Sequence, residues 1–414
     1  MHILFLTDNF PPEVNAPASR TFEHSREWVR AGHDVTVITC APNFPKGKVY
    51  DGYRNRWWQS EMMEGIRVIR VWTYITANDG FVKRILDYQS FMVSAVIAAL
   101  FVRRIDVVIA TSPQFFTACA GWMVGALKRI PFVFELRDLW PESIKAVGAM
   151  SDSWALRLLE RIELFLYRKA ATIITVTKSF KRLLVERGIS EAKIQVVTNG
   201  VDMTQFTSRP KDDDLVASMG LQGKFVAGYV GTHGLAHHLE TILDAATLLA
   251  ETPHGNDFHF VMLGDGARKQ ALREETVRRG LTNVMFIDSV AKAEVPRYWS
   301  LLDVSIIHLK KTALFTTVIP SKLFECMGMG IPVLHGVEGE SADIVRAEEV
   351  GVVFEPENAE SLVACLLSLH ADSRRYGELK LNCGIAAQKY DRHALAASAL
   401  ACLCRTVAQQ HPAK

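Results

Sequence analysis

Phe225-Val226-Ala227-Gly228-Tyr229-Val230-Gly231-Thr232-His233-Gly234 decides how this 414-residue chain is organised. Its first six residues carry no charge and no polar alternation, so they read as a strand covered on both faces, the mark of a parallel sheet flanked by helices. A glycine turn follows, then a helical pattern near 237–251. Before this stretch, apolar runs at 2–7, 34–40, 66–72, 106–111, 131–136, 172–177 and 194–198 alternate with helical patterns around 17–31, 83–102, 114–128, 153–168 and 179–187. After it, strands at 258–263, 284–286, 304–307, 332–334 and 351–354 alternate with helices near 267–279, 294–301, 321–329 and 358–370, and an Ala-rich helical tail runs over 376–410. The polar, proline-containing segment 208–214 separates the two series as a linker. Two doubly wound α/β domains facing across a cleft are predicted: 1–205, 206–385, and a C-terminal helix at 386–414 packing back toward the N-terminal domain.

Composition fits a globular chain, 49% hydrophobic and 22% charged. A net charge of +2 is too mild to mark a nucleic-acid binder. The seven cysteines form no C-x-x-C pair, and Cys402 and Cys404, one residue apart, fit no zinc site, so reduced thiols of a cytosolic protein are expected. The N-terminus reads as a first strand rather than a secretory leader. The longest apolar stretch, Phe91 to Val102, has twelve residues, short of the ~20 that span a bilayer. A soluble or peripheral protein is expected.

Ligands of doubly wound sheets bind beyond the carboxyl ends of the strands, and five motifs stand there. In Asn9 to Arg20, prolines and small residues hold an open loop before a helix. Asn15, Ala16 and Ser19, with Arg20 nearby, make a candidate phosphate or acceptor loop; the plain alternative is a rigid loop with a surface arginine. Glu135-Leu136-Arg137-Asp138-Leu139-Trp140-Pro141-Glu142-Ser143 collects charges where a buried strand ends. Arg137 suits a phosphate or sugar and Asp138 a sugar hydroxyl, unless the two pair to close the sheet edge. Thr198-Asn199-Gly200-Val201-Asp202 is a tight turn. In Gly231-Thr232-His233-Gly234-Leu235-Ala236-His237 the glycines admit a phosphate to the backbone, and the histidines suit a diphosphate or sugar, with surface or packing roles the plain alternative. The H-E-x-x-H glutamate and a third ligand are missing, so no metal is predicted. Gly264-Asp265-Gly266-Ala267-Arg268-Lys269 repeats strand, glycine turn and helix; without a third glycine and a downstream acid it does not support a dinucleotide cofactor.

Ile319 to Val333 adds the sharpest signal. Ser321, Lys322 and Glu325 open a helix that Gly330-Ile331-Pro332 stops. A helix start favours anions, Lys322 adds a full charge, and Glu325 one turn on suits a ribose diol. Phosphate plus ribose suggests a nucleotide; the plain alternative is a capped helix with an exposed Lys and Glu.

In order and spacing these motifs resemble the GT-B glycosyltransferases of family 4, the retaining group 1 enzymes, over nearly the whole chain. The turn at 198–202 is similar to the family's Pro-Asn-Gly-Val-Asp, and Gly264-Asp265-Gly266, Asn283-Val284-Met285-Phe286 and Pro320-Ser321-Lys322-Leu323-Phe324-Glu325 follow in the family's sequence. The run at 137–143 is similar to the bacterial surface-polysaccharide branch, in particular the O-antigen N-acetyl-L-fucosaminyltransferases of the WbuB type. The resemblance implies a catalytic set of Lys322, Glu325, Arg137 and Asp138. It implies donor contacts from Gly231, Thr232, His233, His237, Gly264, Asp265, Arg268, Thr317, Ser321 and Leu323. It also implies a UDP-sugar donor, no cofactor and no metal. Glu325 matches the second Glu of the family's Glu-x7-Glu motif, but Thr317 stands where the first belongs. Thr232 and His237 take the approximate places of the family's Arg and Lys, which leaves Lys322, aided by His237 or Arg20, to carry positive charge to the donor phosphates.

The implied reaction is retaining transfer of an N-acetylated hexose, 6-deoxy sugars such as N-acetyl-L-fucosamine included, to a saccharide on a polyprenyl diphosphate in O-antigen or capsule synthesis. A nucleotide-sugar 2-epimerase of the same fold and a non-catalytic nucleotide-sugar-binding partner are the alternatives. Basic residues bracket the apolar stretch from Phe81 to Arg104, and Trp57-Trp58 stands beside Arg54 and Arg56. That mixture suits peripheral contact with the inner face of the cytoplasmic membrane; a buried helix with charged ends is the alternative.

Overall fold

Alternation of apolar runs and helices yields two Rossmann-like sheets, the GT-B arrangement of two α/β units. The computed structural model describes residues 1–44, 47–76, 81–112, 114–139 and 154–410. The first unit comprises Met1–Thr198 and Arg392–Lys414, the second Asn199–Asp391.

The first sheet holds β1 (His2–Leu6), β2 (Asp34–Cys40), β3 (Trp58–Met63), β4 (Ile66–Val71), β5 (Val107–Thr111), β6 (Phe132–Leu136), β7 (Thr172–Thr175) and β8 (Ile194–Val196), in the order β3-β4-β2-β1-β5-β6-β7-β8. Every pairing is parallel except β3 with β4. Its helices are α1 (Ala16–Arg30), α2 (Phe81–Phe101), α3 (Phe115–Lys128), α4 (Trp154–Lys169) and α5 (Lys178–Glu186). Side chains of β1 alternate between two cores, Leu4 and Leu6 with α2 and α3, Ile3 and Phe5 with α1. The chain builds outward from β1 on one side, then crosses to β5, so the switch point lies between those strands.

The second unit carries α6 (Asp213–Ser218), β9 (Phe225–Val230), α7 (Glu240–Ala250), β10 (Phe258–Leu263), α8 (Lys269–Arg278), β11 (Val284–Ile287), α9 (Val295–Trp299), β12 (Val304–His308), α10 (Lys322–Met329), β13 (Val333–Gly336), α11 (Glu340–Ala347), β14 (Gly351–Val353), α12 (Ala359–Ala371) and α13 (Ser373–Lys389). Its strands are all parallel in the order β11-β10-β9-β12-β13-β14, with the switch between β9 and β12.

Several elements differ from the sequence expectation for physical reasons. Strand β3 alternates exposed and half-buried residues, so it lacks the continuous apolar run that makes the other strands legible. A short helix, α6, stands in part of the expected linker, where the Asp212 carboxylate caps the Leu215 amide at 2.9 Å. Helix α11 goes unread in the sequence, and the tail is two helices, α13 and then α14 (Arg392–Gln410). The units divide at 198 and 391 because the Val201 amide bonds Tyr390 O at 3.0 Å and Val201 bridges Asp391, so the Asn-Gly turn belongs to the second unit. The Lys83–Phe101 segment of α2 is, by length and composition alone, long and apolar enough to cross a bilayer. Gln89, Ser90 and Ser94 interrupt its apolar run without ending the helix, while Phe91, Ala95 and Ala99 pack into the core.

Helix α14 returns to lie on α1. Trp28 Nε1 donates to Ala396 O at 2.9 Å, the Thr172 and Thr406 hydroxyls meet at 2.7 Å, and Arg392 pairs with Glu23. Arg20 rivets this layer from inside: its Nε stands 3.0 Å from Glu135 Oε1, and its Nη atoms donate to Thr198 O at 2.7 Å and Val197 O at 3.0 Å. Removing one partner of a buried pair strands the other charge. Arg20→Met should therefore lower unfolding free energy by about 3–5 kcal/mol in urea denaturation; an unchanged midpoint would contradict the rivet.

Candidate active site

The residues read as catalytic divide between the units: Lys322 and Glu325 belong to the second, Arg137 and Asp138 to the first. In the second unit the carboxyl end of β9 is the organising point. Tyr229, the penultimate residue of β9, is buried, and its hydroxyl donates to Thr232 O at 2.8 Å. The ammonium of Lys322 lies 3.8 Å from the Tyr229 ring centroid. Around the same ring stand His233 and His237, at 5.8 and 6.0 Å between centroids. Gly231, at φ +143°, makes the approach possible: a Cβ there would sit 2.7 Å from Lys322 Nζ.

Lys322 has no ion-pair partner among the described residues; the cation–π contact is its compensation. Burial pushes its pKa from the ordinary 10.5 down to about 8, opposed by Cys326 and Glu325. Glu325 is half-buried one turn further on. Ser321 already has helical backbone angles and makes no side-chain cap bond. The amides of Leu323 and Phe324 donate to Pro320 O and Ser321 O, both at 3.1 Å, and the Leu323 side chain is fully buried core. With those amides occupied, the Lys322 ammonium is the main electrostatic feature of the helix start.

The β9 and β10 loops are zipped together. The His233 amide donates to Asp265 O and the Arg268 amide to His233 O, each at 2.9 Å. A Cβ on Gly264, at φ +145°, would collide with the Gly231 carbonyl oxygen. Exposed Asp265 accepts its neighbour Gly266's amide at 2.8 Å, and the Arg268 guanidinium pairs with Glu240 at 2.6 Å.

His233 is fully buried, and neither ring nitrogen has a hydrogen-bond partner among the described residues; His237 Nδ1 is likewise unpartnered among them. Burial first, then the Lys269 and Lys322 charges, pushes His233 down to about 4. Burial and Lys322 push His237 to about 3. Both rings are therefore neutral near pH 7 and serve as hydrogen-bonding groups rather than cations. Thr317, eight positions before Glu325, closes a short 3-10 turn by donating to Leu314 O at 2.7 Å.

Sequence reasoning passed over three supports of this site. Tyr229 hides inside a strand-forming run, and only its place at the strand's carboxyl end marks it. His308 ends β12 across the switch point. Its Nε2 accepts from the Glu357 amide at 2.8 Å, so Nδ1 carries the proton and donates to His237 O at 2.7 Å, which fixes the His237 loop. Lys269 donates to Gly264 O and to Asp288, both at 2.6 Å.

In the first unit, Asn15 caps α1 by accepting from the Ala18 amide at 2.8 Å, Ala16 is the first helical residue, and the Ser19 amide bonds Asn15 O at 3.0 Å. Arg20, buried and fully engaged beside Glu135, is not at the loop surface. The amides of Arg137 and Asp138 converge on Ser112 Oγ at 2.8 and 3.2 Å. Arg137 Nε and Nη1 are buried without a hydrogen-bond partner among the described residues, and burial pushes the guanidinium down to about 10 despite Glu135. Trp140 to Ser143 lie outside the described residues. The sequence reading also passed over Asp8, at the β1/β5 switch point, whose Oδ2 accepts from Gln114 Nε2 while Oδ1 has no partner. Burial, reinforced by Asp87 and Glu13, holds Asp8 well above the usual carboxylate range, and burial raises Asp87 to about 7. Among the described residues no group of three His, Cys, Asp or Glu is arranged to hold a metal.

Comparison with known proteins covers both units. Residues 15–200 match the glycosyl transferase 4-like domain and residues 224–372 the glycosyl transferases group 1. WcaI of Escherichia coli (strain K12), named for a glycosyl transferase of colanic acid biosynthesis, is 25% identical over 92% of this chain and 97% of its own. The GDP-mannose-dependent alpha-mannosyltransferase of Mycolicibacterium smegmatis is 24% identical over 91% of each chain. Anabaena HepE, solved with UDP and glucose, superposes with a TM-score of 0.72 at 17% identity over 97% of this chain and 99% of its own. With both domain families matched in order along one chain, and two parallel sheets to carry them, the protein belongs to the group 1 (family 4) glycosyltransferases.

Proposed function

We propose that the protein transfers a sugar, with retention, from a UDP-sugar to a saccharide carried on a polyprenyl diphosphate, in bacterial surface-polysaccharide synthesis. One observation carries the reading: an unpaired ammonium, Lys322, held against a glycine turn at the β9/β12 switch point. Such a charge suits a leaving diphosphate. In the proposed step the bond from the anomeric carbon to the diphosphate oxygen breaks on the face where the acceptor oxygen bonds that carbon. The acceptor's proton passes to the departing phosphate. Lys322 neutralises the leaving group, neutral His233 and His237 donate or accept hydrogen bonds beside it, and Glu325 accepts from the ribose. Arg137, with two buried unpartnered nitrogens, suits an anionic or hydroxyl-rich group on the acceptor side, with Asp138 beside it.

Polysaccharide synthesis is supported by the colanic acid relative, and uridine by HepE's UDP complex; the GDP-mannose-dependent relative makes guanosine the competing base. An N-acetylated 6-deoxy sugar rests on the 137–143 run alone. A lipid-linked acceptor makes the enzyme peripheral at the inner face of the cytoplasmic membrane.

UDP at a hundred times its dissociation constant should stabilise the fold by about 2.7 kcal/mol in thermal denaturation. Stabilisation by GDP and not UDP would overturn the uridine reading, and stabilisation by NAD alone the whole proposal. Bound diphosphate favours the charged form of Lys322, so affinity should be full below about pH 8. It should then fall about tenfold per unit above that, until the raised pKa of the complex is reached. Titration calorimetry from pH 7 to 9.5, above the terminal phosphate's pKa of about 6, checks this; a flat profile would remove Lys322 from the phosphate.

Lys322→Met should abolish UDP stabilisation yet raise the unliganded protein's stability by about 1 kcal/mol, because a half-buried unpaired charge is replaced by an apolar side chain of similar length. Glu325→Ala should leave the fold intact and cut turnover at least about a hundredfold. Wild-type turnover in both variants would reject the site.

A further inference from the structure

Helix α2 has one face too apolar for water. Only 33% of its Lys83–Phe101 window is buried, so it is no ordinary core helix. From Ser90 to Phe101 every exposed residue is a large hydrophobic one: Val93 at 53%, Ile97 at 51%, Leu100 at 50% and Phe101 at 72% exposure. With Leu86 these side chains fall within about 100° of arc and run for about 22 Å along the helix. The opposite face packs Phe91, Ala95 and Ala99 into the core, which holds the helix on the unit and leaves only the outer stripe for another phase.

The stripe continues onto the edge of the sheet. Trp58 meets Phe101 edge-on at 6.4 Å between centroids, and Trp57, 73% exposed, stacks on Trp72 at 5.0 Å. The charge around it is predominantly basic. Between Lys83 and Arg104 there are four basic residues, Lys83, Arg84, Arg103 and Arg104, and one acid, the half-buried Asp87. Arg54 and Arg56 are exposed beside the tryptophans. An apolar stripe rimmed by exposed arginines and interfacial tryptophans matches the hydrocarbon edge and anionic headgroups of a bilayer. A protein partner of neutral chemistry would not require the basic rim.

We propose that the outer face of α2, together with Trp57 and Trp58, is the surface by which the first unit docks on an anionic lipid bilayer, the helix lying in the interface plane. This names the surface for the membrane association suggested above, and it stands on the stripe rather than on the nucleotide site.

Co-sedimentation with phosphatidylglycerol-containing vesicles, against pure phosphatidylcholine, tests it on the full chain. The wild type should pellet with the anionic vesicles and release as salt rises. Val93→Ser/Ile97→Ser/Phe101→Ser should lower the partition coefficient at least about tenfold, and Arg103→Glu/Arg104→Glu should remove the preference for anionic lipid. The thermal shift with UDP should be unchanged in the serine variant, which shows it folded and keeps a failure here separate from a failure of the nucleotide reading. Wild-type protein that ignores anionic vesicles, or a serine variant that binds them like wild type, overturns the proposal. So does a wild-type dimer that the serine substitutions split in analytical ultracentrifugation without vesicle binding, since the stripe would then belong to a second copy of the chain.

Discussion

A half-buried ammonium with no carboxylate partner among the described residues is the constraint on which the candidate site of the second unit depends. An isolated charge of this kind is expensive to bury, and the surrounding residues are those that lower the expense without neutralising it. The Tyr229 ring offers its negative face, and Gly231 removes the side chain that would block the approach. The Gly264 turn then fits against the Gly231 carbonyl because it too lacks a Cβ. A side chain at Gly231 would meet the lysine directly, and a lysine paired to a carboxylate would meet an incoming anion already neutralised.

The same logic explains the neutral histidines. Two imidazolium ions beside Lys322 would repel it in a poorly solvated pocket, so burial and that charge together keep both rings neutral. Neutral rings can still bond phosphate oxygens or sugar hydroxyls, in either direction according to tautomer. His308 shows how such a choice is fixed: an amide on one nitrogen forces the proton onto the other, and the proton then holds the His237 loop. At this turn the chain sets hydrogen-bonding rings beside the Lys322 and Lys269 charges.

The architecture was legible in the sequence because buried parallel strands are continuous apolar runs, and thirteen of the fourteen strands announce themselves that way. Strand β3 does not, because an edge strand with one wet face alternates like a loop. At the site, the glycine turns, Lys322 and Glu325 stand in local patterns tied to strand and helix ends. Tyr229 and His308 do not: each is read as strand, and each joins the candidate site only when β9 and β12 become neighbours across a crossover. Arg20 shows the converse. Its loop looks open to phosphate, but Glu135 is 115 residues away in sequence, and no local pattern reports that the two meet. What sequence periodicity hides is long-range pairing.

Helix α2 joins the two kinds of information. Its inner face obeys the rule for a core helix and its outer face breaks the rule for a wet one, so no single hydropathy value describes it. The apolar stretch of twelve understates the helix, and its full hydropathy overstates it as a span. Burial resolves the ambiguity residue by residue. Phe91, Ala95 and Ala99 are used up inside, while Val93, Ile97 and Phe101, two residues away in sequence, point at solvent. An outward apolar stripe is stable only if something covers it or if function needs it uncovered. For the lipid-anchored acceptor proposed above, exposure is the useful state: the face that water penalises would hold the first unit where such an acceptor is found.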